Sequence, residues 1–255
     1  MNKQAKIIAV AGKGGVGKTT LAAGMIRHLT ESCPGARILA IDADPAVGLA
    51  TCLGVDVELT LDDIRRSIID NVEEGRTKEA MELVEESRFR ILDAIVEREE
   101  GFAFLAIGRP EAEGCYCRIN AYLKDVITML SGEFDYVIID CEAGIEQINR
   151  RVLEKVTHLL LVSDQSRKGI QVVSTIKKVA DELVMYERIG AAINRVTDPS
   201  LNAYLTVPGV DILSFIETDE FHAVNDIQGK TVFALPDESP VYRGTGEILR
   251  GFGII

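Results

Sequence analysis

The feature that most constrains the fold is a glycine-rich loop between an apolar strand pattern and a helical pattern. Residues Gly12–Thr19 read GKGGVGKT and satisfy G-x-x-x-x-G-K-[ST]. Glycines let the backbone N–H groups converge on phosphate oxygens at the N-terminus of the following helix, where negative charge is favoured. In such loops the lysine, here Lys18, contacts the β and γ phosphates, and the hydroxyl, here on Thr19, binds Mg²⁺. This context favours a phosphate site over a glycine-rich turn that only starts a helix.

Short apolar runs alternate with longer helical patterns, the order that gives a mainly parallel sheet with helices on both faces. The apolar residues in these runs are consecutive, as in strands buried on both faces. Seven strands are predicted: Lys6–Ala11, Arg37–Asp42, Phe102–Ile107, Tyr136–Asp140, His158–Val162, Ile189–Asn194 and Asp211–Ile216. Crossover helices are predicted at Thr19–Glu31, Asn120–Leu130 and Gly169–Tyr186. We expect one α/β domain over residues 1–255, with an acidic helical insertion around 59–100.

Composition excludes several classes of protein. Charged residues make up 27% of the chain and hydrophobic residues 47%, which is globular rather than low-complexity composition. The formal net charge of −12 repels phosphate backbones, so no nucleic-acid partner is expected. The longest apolar stretch, Gly101–Gly108, is much shorter than a membrane span, and the N-terminus lacks a signal-peptide cleavage pattern. We therefore expect a cytoplasmic protein. No membrane partner is expected either, because the segment YRGTGEILRGFGII lacks the long basic amphipathic helix of a membrane anchor.

Three aspartates follow predicted strands. Asp140 ends the run YVIID, and the carboxyl ends of parallel strands are where ligands of open α/β sheets bind. Asp140 is therefore the candidate Walker B carboxylate. Asp42 and Asp44 lie in IDADP after the second predicted strand, and the alternative for this pair is an Asx-type turn before Pro45.

Two of the five cysteines, Cys115 and Cys117, are clustered in the sequence GCYC. In a cytosolic chain, clustered thiols more often bind metal or do redox work than form disulfides. One C-x-C pair supplies half of a tetrahedral four-thiolate site, and the same loop of a twofold-related subunit could complete it. The alternative is two small buried residues.

The loop KGGVGKTT resembles the deviant Walker A loop of the ATPase class that includes MinD, ParA, ArsA and the nitrogenase iron protein. This resemblance implies Mg²⁺-ATP as substrate, with catalytic roles for Lys13, Lys18 and Asp44, and a homodimer that encloses the nucleotide. Lys13 would reach the nucleotide of the opposite subunit and stabilise transition-state charge, as an arginine finger does. The nucleotide would be bound by Gly12, Gly14, Gly15, Val16, Gly17, Lys18, Thr19 and Thr20.

The same resemblance extends to later motifs. IDADP resembles the first switch of the class, in which Asp44 would orient the attacking water and Asp42 would join Thr19 and Asp140 in the Mg²⁺ shell. The pattern D-x-x-A-G from Asp140 to Gly144 resembles the second switch, which senses the γ-phosphate. The dipeptide Asn194-Arg195 resembles the position that reads adenine.

Because GCYC lies between the two switches, the chain resembles the CooC-type ATPases, nickel-insertion accessory proteins of carbon monoxide dehydrogenase, and their relatives serving acetyl-CoA synthase. The resemblance implies that Cys115 and Cys117 bind Ni²⁺ at a dimer interface and that the client is a nickel enzyme. Zn²⁺ could occupy the same thiolates in vitro.

The sequence leaves two functions open as alternatives to nickel insertion. One is a positioning or regulatory switch of the MinD or ParA kind, against which the acidic charge counts. The other is an electron-transfer ATPase like the nitrogenase iron protein, with an iron–sulfur cluster shared by two subunits.

Overall fold

A mainly parallel sheet runs through the protein. The computed structural model describes residues 4–73, 86, 89–108, 125, 127–141 and 155–255. The strands in these ranges are β1 (Lys6–Gly12), β2 (Ile38–Asp42), β3 (Val96–Arg98), β4 (Phe102–Ala106), β5 (Tyr136–Asp140), β6 (His158–Ser163), β7 (Arg188–Val196) and β8 (Ile212–Glu217). They form one sheet of eight strands in the order β3-β4-β2-β5-β1-β6-β7-β8. Strand β3 pairs antiparallel with β4, and the other pairs are parallel.

Helices cover both faces of the sheet because its strands are apolar on both sides. Along β1, Ile8 and Val10 belong to one buried cluster, and Ala9 and Ala11 belong to the other. The helices are α1 (Lys18–Ser32), α2 (Gly48–Leu53), α3 (Leu61–Glu73), α4 (Arg167–Leu183), α5 (Glu220–Ile227) and α6 (Pro240–Gly251). The buried hydrophobic residues of α1, α2 and α6 belong to the cluster of Ile8, and most of those of α3 and α4 belong to the cluster of Ala9. Among the described residues, no helix combines the length and hydropathy needed to cross a bilayer.

All seven predicted strands are confirmed, and the structure corrects their number to eight. The missed strand β3 has the sequence Val96-Glu97-Arg98, in which two of three residues are charged, so no apolar run marks it. It lies in the predicted insertion, which therefore contributes an edge strand to the sheet in addition to helix α3. Of the predicted helix Asn120–Leu130, residues 125 and 127–130 are helical, and the others lie outside the described residues.

Candidate nucleotide site

The predicted phosphate loop connects the end of β1 to the start of α1 at the centre of the sheet's carboxyl edge. Gly12 passes so close to β6 that a Cβ atom on it would lie 2.1 Å from the carbonyl oxygen of Val162. Gly17 has φ 90°, and its Cβ would lie 2.5 Å from Nδ2 of Asn194. Glycine is therefore required at Gly12 by close packing against backbone, and it is favoured at Gly17 by the left-handed backbone conformation, in addition to any ligand. Gly14 and Gly15 are exposed, so the rim of the loop is open to solvent.

Lys18 lies inside the loop. Its side chain is buried, and Nζ donates a hydrogen bond of 3.3 Å to the carbonyl oxygen of Lys13. The ammonium is thereby held beside the loop backbone. Thr19 and Thr20 follow in the first turn of α1, where both side chains are partly buried.

Asp140 supplies a buried carboxylate beside this loop. It pairs in register with Val10 of β1 on one side and with Asp42 of β2 on the other. Burial and the charge of Asp42 raise the pKa of Asp140 to about 7, although the Thr19 hydroxyl and the Lys18 ammonium act in the opposite direction. By geometry, neither carboxylate oxygen of Asp140 makes a hydrogen bond within the described residues, so the Thr19 hydroxyl lies near enough to lower the pKa of Asp140 without forming a well-aligned hydrogen bond to it.

An unpartnered buried carboxylate is costly unless a cation or donor satisfies it. The Asp140 carboxylate and the Thr19 hydroxyl place two oxygen ligands for a metal beside the phosphate loop. Proteins usually bind Mg²⁺ through one or two carboxylates together with substrate phosphates and water, so these residues fit Mg²⁺. The residues present therefore fit the metal that the resemblance implies.

The Asp42 carboxylate is also buried, but backbone N–H groups satisfy it. Its Oδ1 accepts from Asp44 N at 3.1 Å, and its Oδ2 accepts from Leu49 N at 2.8 Å and Ala50 N at 3.4 Å. Burial raises the pKa of Asp42 to about 6, and these backbone donors limit the rise. In this state Asp42 anchors the first turn of α2, and its place in the Mg²⁺ shell stays a prediction.

Asp44 is partly exposed at the same edge of the sheet. Its Oδ1 accepts from Ala46 N at 2.9 Å, so Asp42 and Asp44 form two successive Asx-type turns around Pro45. The turn alternative for IDADP is thus realised in the structure. The predicted role of Asp44 in orienting water stays a prediction.

Lys13 is held on its own subunit by Asp164, which directly follows β6. Its Nζ lies 2.6 Å from Asp164 Oδ2, and each side chain is 29% exposed. Burial opposes ionisation of Asp164, but hydrogen bonds from Lys13 and Ser166 hold the pKa of this carboxyl below its usual range. Asp164 is not among the residues predicted from the sequence, although an acidic residue at the carboxyl end of a buried strand is the same signal that marks Asp140.

Asn194 and Arg195 also reach the phosphate loop. Nδ2 of Asn194 donates to the carbonyl oxygen of Val16 at 2.7 Å, and Nη1 of Arg195 donates to that of Gly15 at 2.8 Å. Asn194 is buried. The structure therefore places both residues against the loop backbone, and their role in reading adenine stays a prediction.

Three predicted site residues, Cys115, Cys117 and Gly144, lie outside the described residues. In the part of the chain that is described, no group of three or more His, Cys, Asp or Glu side chains could hold a metal ion. Cys141 is buried, and its thiol contacts the carbonyl oxygen of Ile139 at 3.5 Å, as expected for a small core residue.

Comparison with known families identifies the chain. The AAA_31 family, described as an AAA domain, matches residues 5–188, from the strand before the phosphate loop to the start of β7. The chain belongs to this family, in the MinD/ParA class of P-loop ATPases. The protein is therefore an ATP hydrolase.

Relatives of the ATPase include proteins of several kinds. It is 34% identical to an uncharacterised ATP-binding protein of Methanocaldococcus jannaschii, over 95% of this chain and 96% of the relative. It is 32% identical to the carbon monoxide dehydrogenase accessory protein CooC of Rhodospirillum rubrum, over 69% of each chain. The crystal structure of the Pyrococcus furiosus cell division ATPase MinD matches 99% of both chains with a TM-score of 0.71 and 22% identity, which shows a common fold.

Proposed function

We propose that the ATPase binds nickel between two subunits and assists nickel insertion into carbon monoxide dehydrogenase or acetyl-CoA synthase. The observation that carries the nucleotide part is the unpartnered, buried Asp140 beside the phosphate loop and Lys18. The nickel part is supported by Cys115 and Cys117 in GCYC and by the similarity to CooC over 69% of the chain.

In the proposed mechanism the loop N–H groups and Lys18 bind the phosphates of ATP. Thr19, Asp42 and Asp140 would hold Mg²⁺, which would neutralise phosphate charge when bound. Asp44 orients the attacking water, and Lys13 of the partner subunit stabilises charge on the transferred phosphoryl group. Gly144 senses the γ-phosphate.

ATP would control nickel because its phosphates are contacted from both subunits. These contacts exist in the closed dimer and are lost on hydrolysis, so ATP binds the closed state more strongly than the open one. A four-thiolate site made by Cys115 and Cys117 of two subunits exists only where the two loops meet. Closing and opening the dimer would therefore assemble and release the nickel site.

The Lys13–Asp164 ion pair should compete with this dimer. Lys13 must leave Asp164 to act on the partner's nucleotide, and a partly exposed pair is worth about 0.2–1 kcal/mol. Each of the two subunits gives up one such pair on dimerisation, so we expect Asp164→Asn to tighten ATP-dependent dimerisation about two- to thirtyfold, measured by sedimentation velocity with a non-hydrolysable ATP analogue.

Asp181→Asn is the matched control, because Asp181 pairs with Lys177 at 2.7 Å on the exposed surface of α4. It should leave dimerisation unchanged. Weaker dimerisation of Asp164→Asn than of the wild type would show that the ion pair supports the dimer rather than competing with it.

The nickel proposal is tested by anaerobic nickel titration of the wild type and the Cys115→Ser/Cys117→Ser variant, with and without ATP. We expect saturation at about one ion per two chains, loss of binding in the double variant and a change in affinity with ATP. Zinc should compete, because thiolates discriminate weakly between the two metals. Cys33→Ser, at a half-buried thiol that contacts Tyr136, is the control and should bind nickel normally.

Nickel binding that persists in the double variant would contradict the assignment of these thiols. A brown absorbance after anaerobic purification would instead favour an iron–sulfur ATPase.

A MinD/ParA-like positioning or regulatory switch is the second candidate, and membership of that class favours it. The net charge of −12 counts against DNA as its partner. ATP-dependent co-sedimentation with DNA or with anionic vesicles, together with absent nickel binding, would place this function first.

A further inference from the structure

We propose that Asn194 and Arg195 form a clamp that fixes the backbone of the phosphate loop, so that Arg195 is a positioning residue for phosphate binding. The proposal rests on the proposed role of Gly12–Thr19 as the phosphate site. It differs from a role in reading the base, because the clamp acts through the loop and on any ligand with the same phosphates.

The two hydrogen bonds of the clamp fix consecutive peptide units. Arg195 donates to the carbonyl of Gly15 at 2.8 Å, and Asn194 donates to the carbonyl of Val16 at 2.7 Å. The described residues contain no cis peptide bond, and in a trans peptide the C=O and the following N–H point in opposite directions. The N–H groups of Val16 and Gly17 are therefore turned away from the clamp. Backbone N–H groups of such a loop are the groups that bind phosphate.

The backbone at the end of β7 is bent to build the clamp. The pairing of β7 with β8 shifts register between Asn194 and Val196, and Arg195 adopts φ 57°. This left-handed conformation is unfavourable for a residue with a Cβ atom, and a bulge re-aims the side chain that it carries. The neighbouring loop residue is fitted to the clamp, because a Cβ on Gly17 would lie 2.5 Å from Asn194 Nδ2. Strained backbone of this kind indicates a functional constraint.

The clamp and a base-reading role differ in what they do to a ligand without a base. A residue that reads adenine affects ATP and ADP but not inorganic tripolyphosphate. A residue that orients the loop N–H groups affects all three by a similar factor, because all three present phosphates to the same groups.

The test measures the dissociation constants of Mg-ATP, Mg-ADP and Mg-tripolyphosphate by calorimetry for the wild type, Arg195→Ala, Arg195→Gly and Asn194→Ala. We expect all three variants to bind all three ligands about five- to tenfold more weakly, since one oriented hydrogen bond is lost in each. Alanine at position 195 keeps the conformational free-energy cost of φ 57°, because it has a Cβ atom. Glycine has no Cβ atom and removes that cost. The ligand-free glycine variant should therefore melt about 2–4 °C above the alanine variant, with equally weak binding.

Arg37→Gln is the control for loss of a guanidinium, because Arg37 is 61% exposed at the opposite edge of the sheet, before β2. It should bind all three ligands as the wild type does. Weaker nucleotide binding with unchanged tripolyphosphate binding in the Arg195 and Asn194 variants would overturn the clamp and favour a base contact. Wild-type protein that binds ATP but not tripolyphosphate would overturn the phosphate role of the loop itself.

Discussion

Replacing Asp140 by asparagine is expected to lower ATP turnover about 100-fold or more, because a charged ligand of the proposed Mg²⁺ is replaced by a neutral, weaker one. The same substitution should stabilise the ligand-free protein at pH 8 by about 1–3 kcal/mol, since it removes a buried carboxylate that has no hydrogen-bond partner among the described residues. Steady-state turnover and denaturant unfolding measure the two effects. Opposite changes in activity and stability are typical of a residue whose buried charge serves a ligand rather than the fold.

The stability gain should depend on pH in a defined direction. The folded protein holds the Asp140 proton up to a pKa of about 7, whereas the unfolded chain releases it near 3.8. Between these two values the folded state binds more protons, so the contribution of Asp140 to the free energy of unfolding falls as pH rises. The advantage of Asp140→Asn over the wild type should therefore grow from pH 5 to pH 8.

Asp211→Asn is the control for this experiment, because Asp211 is exposed beside the start of β8. It should change neither turnover nor stability. Wild-type turnover in Asp140→Asn, or a loss of stability at pH 8, would contradict the metal-ligand assignment.

Replacing Lys13 by alanine is expected to lower turnover about 1,000-fold while leaving ATP affinity within about threefold of the wild type, as for loss of an arginine finger. The physical reason is that Lys13 would contact charge that develops only in the transition state. Lys168→Ala is the matched control, because Lys168 is an exposed lysine in the first turn of α4, four residues after Asp164. Single-turnover hydrolysis and calorimetric ATP binding separate the two quantities.

A mixing experiment tests whether Lys13 acts across the dimer. In a mixed dimer, the Lys13→Ala subunit has an intact nucleotide pocket. The Asp140→Asn subunit supplies Lys13 to that pocket. An equal mixture should therefore recover up to about a quarter of wild-type activity, because half the dimers are mixed and each has one complete site. A lysine that acts within its own subunit would give no recovery.

The sequence predicted those parts of the protein that local patterns encode. Consecutive apolar residues identify the buried parallel strands, and the glycine and lysine spacing identifies the phosphate loop. Asp140 was found because it closes such a strand, and its position between Val10 and Asp42 agrees with that expectation.

The remaining features depend on tertiary contacts that no local pattern records. Strand β3 is short and charged, and it forms a strand because it pairs antiparallel with the free edge of β4. The role of Asp164 depends on its hydrogen bond from Lys13, which lies 151 positions earlier in the chain. The contacts of Asn194 and Arg195 with the loop depend on a register shift at the end of β7, which the apolar run Ile189–Asn194 does not reveal.

The central place of β1 has a consequence for how the protein is made. This strand is translated before the strands that flank it. Ile7 donates a hydrogen bond to Thr157, 150 positions later, and the carbonyl of Val16 accepts one from Asn194, 178 positions later. A nascent chain on the ribosome thus contains the complete phosphate-loop sequence long before the strands that contact this loop, β6 and β7, have been synthesised. Contacts so distant in sequence also slow folding, because a long segment must be closed before they form. ATP can therefore stabilise the finished domain, but it cannot assist the early stages of synthesis.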